Sequence, residues 1–289
     1  MTPEQQDSYI SECVHDSLVI DIEALKPGNV SRYASGHNME VGHFIESARL
    51  TTPLLCDRRQ NVGRRILNSI ETTMNGVGCN TNLGIVLLCA PLVFAVQHKI
   101  GGESLRDALA RTIDAIDRQE TADIFRAICL AGPAGLGQSS QYDVHLQPEV
   151  TIIEAMRFSR DRDRIAYQYI SQFEDIFEHG LEVIKASFTR WRRMEWAATS
   201  CFLEFLGTRH DSHVRRKFGD EVAEQLRKKA QPVMRQFRAC ADPETMVDEL
   251  LVFDRELKDA GINPGTSADL TVASVLAYRL MNDIGYEEF

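Results

Sequence analysis

The stretch Gly84-Ile-Val-Leu-Leu-Cys-Ala-Pro-Leu-Val-Phe-Ala-Val96 decides the fold class. It carries no charge, yet it is shorter than the roughly 20 apolar residues that a helix needs to cross a bilayer, and Pro91 lies inside it. We therefore expect a helix that is buried in the core of a soluble protein.

The residues on either side of this run repeat at helical spacing. Leu105, Leu109, Ile113 and Ile116 are one example, whereas alternating strand patterns are nearly absent. The sequence therefore predicts an all-α fold. No linker, repeat or low-complexity tract divides it, so we expect one compact domain over residues 1–289, with Gly-, Asn- and Asp-rich turns forming a pocket. The predicted helices are 4–25, 39–57, 59–76, 82–99, 103–116, 120–131, 149–158, 161–186, 189–207, 211–218, 220–239, 243–260 and 266–283.

The composition excludes several classes of partner. A formal net charge of -10 and a sequence pI near 5.3 disfavour nucleic acid and anionic membranes, which both attract basic surfaces. The seven cysteines include no C-x-x-C pair, which is typical of reduced thiols in the cytoplasm. We see no signal peptide and expect a cytoplasmic protein that binds phosphorylated small molecules, with a homodimer left open.

Two turns precede helices in the first third of the chain. Lys26-Pro-Gly28-Asn29 ends the first predicted helix, and Arg32 adds a second cation close by. The segment Gly76-Val-Gly-Cys-Asn-Thr-Asn-Leu-Gly84 opens into the apolar helix, whose N–H groups and dipole can hold an anion. Plain helix punctuation explains both turns as well, with Thr81 as the cap of the apolar helix.

The longest stretch without periodicity runs from Gly132 to Pro148. In an extended loop Asp143 and His145 point the same way, which suits a metal or a proton-transfer pair, although incidental surface charge accounts for them equally well.

Two further turns lie near the end of the chain. Arg209-His-Asp-Ser-His-Val-Arg-Arg-Lys217 offers Asp211 as a helix cap and the densest basic cluster in an acidic protein, which suits a polyphosphate. In Gly261-Ile-Asn-Pro-Gly-Thr-Ser-Ala-Asp269-Leu270 a Pro-Gly turn meets a helix. A solvated helix face and ordinary capping are the alternative explanations.

Together, K-P-G-N-V, N-T-N-L-G, G-L-G with Y-D-V, D-S-H-V-R-R-K and N-P-G-T-S-A-D-L resemble the triphosphoribosyl-dephospho-CoA synthase family over about residues 15–280. The resemblance implies an all-helical transferase that moves the ribosyl group of ATP onto the 2′-hydroxyl of 3′-dephospho-CoA and expels adenine, in coenzyme biosynthesis.

Four positions depart from the citrate-lyase type of that family. Asn29 replaces a Leu, Ser31 an Asp and Asn82 a His, and the motif expected near the middle gives way to the loop that leads to Tyr142-Asp143-Val144. These substitutions resemble a second branch, which accompanies tetrahydromethanopterin-linked one-carbon metabolism. The donor is then ATP or phosphoribosyl diphosphate, and the acceptor dephospho-CoA or a pterin precursor.

Displacement at an anomeric carbon needs a carboxylate near the sugar, a base for the acceptor and neutralisation of the phosphates. We expect Asp143, Asp211 and Asp269 to be catalytic and to bind Mg²⁺. The predicted substrate-binding residues are Lys26, Gly28, Asn29, Arg32, Asn80, Thr81, Asn82, His145, His213, Arg216, Lys217 and Ser267.

Two other functions fit the sequence. His210-Asp211, with His179 and Asp254 as outer ligands, has the residue types of a helical metal-dependent phosphohydrolase. A helical module that binds a nucleotide without turnover is the other alternative, because Ser31 and Asn82 depart from the family pattern.

Overall fold

A computed structural model describes residues 2–36, 39–133 and 143–282, and this part of the chain is helical. It contains isolated bridges at Ser31–Ala34 and Gly36–Met39 but no strand, so the all-α prediction is confirmed. Within these ranges, none of the helices combines the length and the apolar character that spanning a bilayer requires. The α-helices are α1 (Pro3–Glu23), α2 (Val41–Leu55), α3 (Val62–Val77), α4 (Leu83–Gln97), α5 (Leu105–Asp114), α6 (Arg118–Ala131), α7 (Ile152–Ser159), α8 (Arg164–Ser171), α9 (Leu181–Trp191), α10 (Met194–Thr208), α11 (Ser212–Phe218), α12 (Asp220–Ala239), α13 (Val247–Asp259) and α14 (Gly265–Asn282).

The chain forms two compact units, and a single domain over residues 1–289 stays a prediction. The first unit comprises the described residues of Met1–Asp16, Glu46–Glu174 and Arg279–Phe289, and the second those of Ser17–Ile45 and Asp175–Tyr278. All seven cysteines lie in the described residues and none forms a disulfide there.

The first unit is built around α4, which is buried along nearly its whole length. Pro91 has no N–H and cannot donate to the carbonyl of Leu87 one turn earlier. Tyr169 of α8 supplies the missing donor, because its hydroxyl lies 2.7 Å from that carbonyl oxygen. Burial also raises the pKa of the Tyr169 hydroxyl, so it stays protonated and donates. The helix therefore passes through a proline without leaving a buried carbonyl unmatched.

The core of the second unit packs around Trp196 and Phe237, whose ring centroids lie 6.2 Å apart. Helices α10, α12 and α13 supply most of the buried residues of this core, together with Ala268 at the start of α14, and Trp191 of α9 packs against them. A smaller cluster of Ile22, Val30 and Phe44 packs beside the turn that follows α1.

Two predicted helix spans are wrong. Residues 161–186 do not form one helix, because Gln172 (φ 54°) and Phe173 (φ 58°) adopt left-handed conformations and end α8. A π-helix, Asp175–Gly180, follows before α9 begins. Arg192 (φ 54°) likewise ends α9, so a single helix over residues 189–207 is not formed. Non-glycine residues rarely adopt this conformation, which is why apolar periodicity did not predict the breaks.

Candidate functional site

Three of the five turns predicted from the sequence converge in the second unit. Residues 263–267, at the start of α14, contact residues 26–29, which we call the Lys26 turn, and also the start of α11. The first, fourth and fifth motifs therefore lie next to one another in the structure, although Asn29 and Asn263 are 234 residues apart in the sequence.

Lys26 is fully buried and forms an ion pair with the carboxylate of Asp21, which is buried as well. Its Nζ also donates to Oδ1 of Asn29 at 3.0 Å. The sequence predicts that this lysine binds substrate. The structure instead places its charge against a protein carboxylate, which makes it part of the framework of the turn.

Residues near the end of the second unit's sequence hydrogen-bond to the Lys26 turn. The N–H of Gly28 donates to Oδ1 of Asp254 at 2.8 Å, and Nζ of Lys258 donates to Oδ2 of the same carboxylate at 2.9 Å. Nδ2 of Asn29 donates to Oδ1 of Asn263 at 2.9 Å. The sequence analysis names Asp254 only as a possible metal ligand of a phosphohydrolase and misses its contact with the Lys26 turn. The spacing of four residues between Asp254 and Lys258 on one helix is a sequence signal that indicates their ion pair.

Asp211 is the N-cap of α11, as predicted, and it also reaches α14. Its Oδ1 accepts from the N–H of Val214 at 3.0 Å, and its Oδ2 accepts from the N–H and the hydroxyl of Ser267 at 2.8 and 2.9 Å. One buried carboxylate thus satisfies donors at two helix N-termini, where negative charge is favourable. This geometry gives Asp211 a positioning role.

Hydroxyl groups complete the junction between α11 and α14. Oγ of Ser212 lies 3.0 Å from Oγ1 of Thr266, and the N–H of His213 donates to that Oγ1 at 3.1 Å. A Cβ added to Gly265 would lie 2.6 Å from Nδ1 of His213, so the glycine allows the two helix ends to approach. The structure therefore brings His213, Ser267 and Asp211 together, a proximity that the separate sequence motifs do not establish.

Three other cations of the predicted site lie nearer to solvent than Lys26. Arg32 is exposed, and its guanidinium donates to the hydroxyl of Tyr33 at 3.2 Å. Arg216 is half-buried, whereas Lys217 is exposed and its Nζ lies 3.4 Å from the carbonyl oxygen of Gly261, just before the motif at the start of α14. Asp269 is half-buried on α14. These side chains can reach a solvent-borne ligand more readily than Lys26 can.

The second motif lies in the first unit, and residues 80–82 are called the Asn80 turn below. Oδ1 of Asn80 accepts from the N–H of Asn82 at 3.3 Å and of Leu83 at 3.1 Å. The prediction that Thr81 caps α4 is therefore wrong, because its hydroxyl makes no hydrogen bond among the described residues and Asn80, three residues before the first residue of α4, supplies the acceptor. Nδ2 of Asn82 donates to Ser47 at 2.8 Å and to Thr73 at 3.3 Å.

Two buried oxygens of the Asn80 turn have no hydrogen-bond partner among the described residues. They are Oγ1 of Thr81 and Oδ1 of Asn82, on residues that are 9% and 5% exposed. Buried polar atoms are rarely left unmatched, so each such atom calls for an explanation.

Asp143 and His145 also belong to the first unit. Oδ1 of Asp143 accepts from the backbone N–H of His145 at 2.9 Å and lies 2.6 Å from its Nδ1. The two side chains meet as predicted, but a tight turn brings them together, and the extended loop that we had assumed is absent at these residues. Residues 134–142 of the same loop, including Tyr142, lie outside the described part of the chain.

Within the described ranges, no group of three or more His, Cys, Asp or Glu side chains is arranged to hold a metal ion. A role for Asp143, Asp211 and Asp269 in binding Mg²⁺ stays a prediction. His210 pairs with Glu224, Nε2 to Oε2 at 2.7 Å, while Asp211 and Asp254 bind backbone N–H groups. This arrangement does not support the phosphohydrolase alternative.

Comparisons with known proteins agree with the motif order. A sequence model for the family described as ATP:dephospho-CoA triphosphoribosyl transferase matches residues 7–288. The fold resembles the crystal structure of a candidate triphosphoribosyl-dephospho-CoA synthase from Archaeoglobus fulgidus, with 22% identity and a TM-score of 0.62 over 83% of this chain and 99% of that one. None of the curated proteins matches the sequence.

Proposed function

The chain belongs to the ATP:dephospho-CoA triphosphoribosyl transferase family, and on this premise we propose that it transfers the triphosphoribosyl group of ATP to the 2′-hydroxyl of 3′-dephospho-CoA. The observation that supports this most is the convergence of three family-like turns on residues 263–267 in the second unit.

In the proposed reaction the hydroxyl oxygen of the acceptor forms a bond to C1′ of the ATP ribose while the bond from C1′ to N9 of adenine breaks. Adenine leaves with the electron pair and takes up a proton, and the acceptor hydroxyl loses one. A base must therefore hold the acceptor proton as positive charge develops on the sugar.

We assign the base role to Asp269 and a positioning role to Asp211. Asp211 already accepts three hydrogen bonds from the two helix ends, so little of its acceptor capacity is left for a substrate. Asp269 lies on α14, two residues after Ser267, and is half-buried. Asp143, held against His145, is the alternative base.

Phosphate groups are proposed to contact Arg216, Lys217 and Arg32, which are half-buried or exposed cations that lie in or just after the motifs that converge in the second unit. Because Mg²⁺ is usually held by substrate phosphates and one or two carboxylates, we propose that it arrives with the nucleotide. It would neutralise part of the charge on the triphosphate.

The departures from the citrate-lyase pattern do not by themselves require a different acceptor. Asn29 is engaged with Asn263, and Nδ2 of Asn82 with Ser47 and Thr73, so each amide has a structural partner. Phosphoribosyl diphosphate as donor and a pterin precursor of tetrahydromethanopterin as acceptor form the second candidate pair, favoured by the resemblance to that branch.

The test is to incubate the purified protein with ATP, Mg²⁺ and 3′-dephospho-CoA and to measure adenine by chromatography and the product by mass spectrometry. Equal amounts of adenine and triphosphoribosyl-dephospho-CoA are expected. Diphosphate release from phosphoribosyl diphosphate with a pterin acceptor would replace the first pair of substrates by the second. Absence of both products, with tight ATP binding, would leave a binding module.

Variants separate the roles of the side chains. Asp269→Asn is expected to lower kcat at least about 100-fold with little change in KM, as is usual for loss of a general base. Arg216→Ala is expected to raise the KM for ATP, while Lys228→Ala, at an exposed side chain of α12, serves as its charge-matched control. An unchanged kcat for Asp269→Asn together with a large loss for Asp143→Asn would move the base role to Asp143.

A further inference from the structure

The N-terminus of α4 has donors that the protein does not use. Asn80 accepts from the N–H groups of Asn82 and Leu83, and in the described part of the chain the N–H groups of Gly84 and Ile85 make no hydrogen bond. The first N–H groups of a helix have no partner inside the helix, so an external acceptor is expected at this end.

An acceptor and a hydroxyl lie beside these donors. Oδ1 of Asn82 can only accept, whereas Oγ1 of Thr81 can donate and accept, and both oxygens are unmatched and more than nine-tenths buried. Ser47 and Thr73 fix the Asn82 amide from the other side. The start of α4 therefore combines backbone N–H donors, an amide oxygen that can only accept, and a hydroxyl that can do both.

The chemistry of this set argues against a phosphate. Residues 76–84 carry no Lys, Arg or His, and an amide oxygen directed at a phosphate oxygen is repulsive. A sugar hydroxyl fits better, since it donates to Oδ1 of Asn82 while it accepts from a backbone N–H, and a second hydroxyl can pair with Thr81.

We infer that the Asn80 turn binds the vicinal hydroxyl groups of a ribose, and does not bind the triphosphate. This assignment rests on the proposed function, in which both substrates contain a ribose, and it names the part of the substrate that the α4 end recognises. It differs from the anion site that the sequence predicts at this helix.

The test compares the binding of ATP and 2′,3′-dideoxy-ATP to the purified chain by calorimetry, with inorganic tripolyphosphate as the third probe. The wild type is expected to bind ATP about tenfold more tightly than the dideoxy analogue, because a site that hydrogen-bonds a hydroxyl discriminates against its loss. In Thr81→Val, which keeps the shape of the side chain, the ratio is expected to fall below about threefold, with tripolyphosphate binding unchanged.

Asn82→Asp distinguishes a hydroxyl from a phosphate. A carboxylate accepts from a sugar hydroxyl and caps a helix well, so ATP affinity is expected to stay within about threefold of the wild type. A loss of ATP and tripolyphosphate affinity of tenfold or more in either variant, with an unchanged unfolding temperature, would identify an anion site and overturn the inference. Equal affinities of the wild type for ATP and its dideoxy analogue would overturn it as well, as would the same ratio in the wild type and Thr81→Val.

These outcomes are separable from the failure of the transferase reaction. Discrimination between the two nucleotides without adenine release would contradict the proposed function alone. Adenine release by a protein that does not discriminate would contradict the ribose assignment alone, and absence of ATP binding would contradict both.

Discussion

The Lys26 turn and the Asn80 turn contain similar residues but differ in how completely their buried polar atoms are hydrogen-bonded. Each contains asparagine and lies beside a glycine with φ +82°, Gly28 in one case and Gly78 in the other. In the described structure no buried side-chain nitrogen or oxygen of the Lys26 turn lacks a partner, whereas Thr81 and Asn82 each leave one oxygen unmatched. The residue types specify a turn, and the surroundings decide whether all of its buried polar groups find a partner within the described part of the protein.

The strongest test of this contrast is Lys26→Met. Removing the lysine leaves the buried Asp21 carboxylate without its cation, and the free energy of unfolding is expected to fall by about 3–5 kcal/mol in urea titrations. The double variant Asp21→Asn, Lys26→Met should recover much of the loss. A Lys26→Met protein that is as stable as the wild type but no longer binds ATP would show that this turn serves the ligand and break the contrast.

The two glycines give a matched comparison. A Cβ on Gly28 would lie 2.8 Å from Cδ of Pro264 and 3.1 Å from the carbonyl oxygen of Ile262, while a Cβ on Gly78 would meet nothing within 4 Å. Gly28→Ala is expected to cost about 3 kcal/mol and Gly78→Ala about 1 kcal/mol, the latter from its left-handed conformation alone. Equal losses in thermal unfolding would mean that the packing around Gly28 adds nothing.

Asn80→Ala removes the cap of α4. Loss of the side-chain acceptor for Asn82 and Leu83 is expected to destabilise the protein by about 1 kcal/mol. Asn80→Asp, which keeps the acceptor, should restore the wild-type midpoint in urea. A cost above about 3 kcal/mol would imply that Asn80 supports more than the helix end.

The smallest effect, and one of opposite sign, is expected for Thr81→Val. Its hydroxyl is buried and unmatched, so replacing it by a methyl group should leave stability unchanged or raise it by up to about 1 kcal/mol. Ser267→Ala is the control, because its hydroxyl donates to Asp211 and its loss should destabilise. A destabilised Thr81→Val protein would show that this hydroxyl has a structural partner.

The helical class, the burial of α4 and the Asp211 cap followed from local patterns, since apolar periodicity and capping residues act within one or two turns of the chain. The breaks at Phe173 and Arg192 did not, because left-handed conformations at such residues depend on the surrounding packing. The same holds for Lys26, which looks like a surface cation in a Pro-Gly turn until the buried Asp21 lies beside it.

The candidate site was predicted as a set of motifs, but not as a set of contacts. Sequence order placed K-P-G-N and N-P-G-T-S in one family pattern, yet only the fold shows that Asn29 contacts Asn263 while Asp254 holds the N–H of Gly28. Partners at such separations leave no periodic signal in one sequence. Several neighbouring residues can also cap the same helix, so the sequence predicts Thr81 as the cap of α4 although Asn80 supplies the acceptor.

The bond from Tyr169 to Leu87 bears on the order of events during synthesis. Its partners are 82 residues apart, so α4 emerges from the ribosome well before its donor exists. At about 5–20 residues per second the delay is roughly 4–16 s. During that interval the carbonyl of Leu87, one turn before Pro91, lacks the donor that Tyr169 supplies in the folded protein. A chaperone that binds exposed apolar segments could therefore bind α4 during this time.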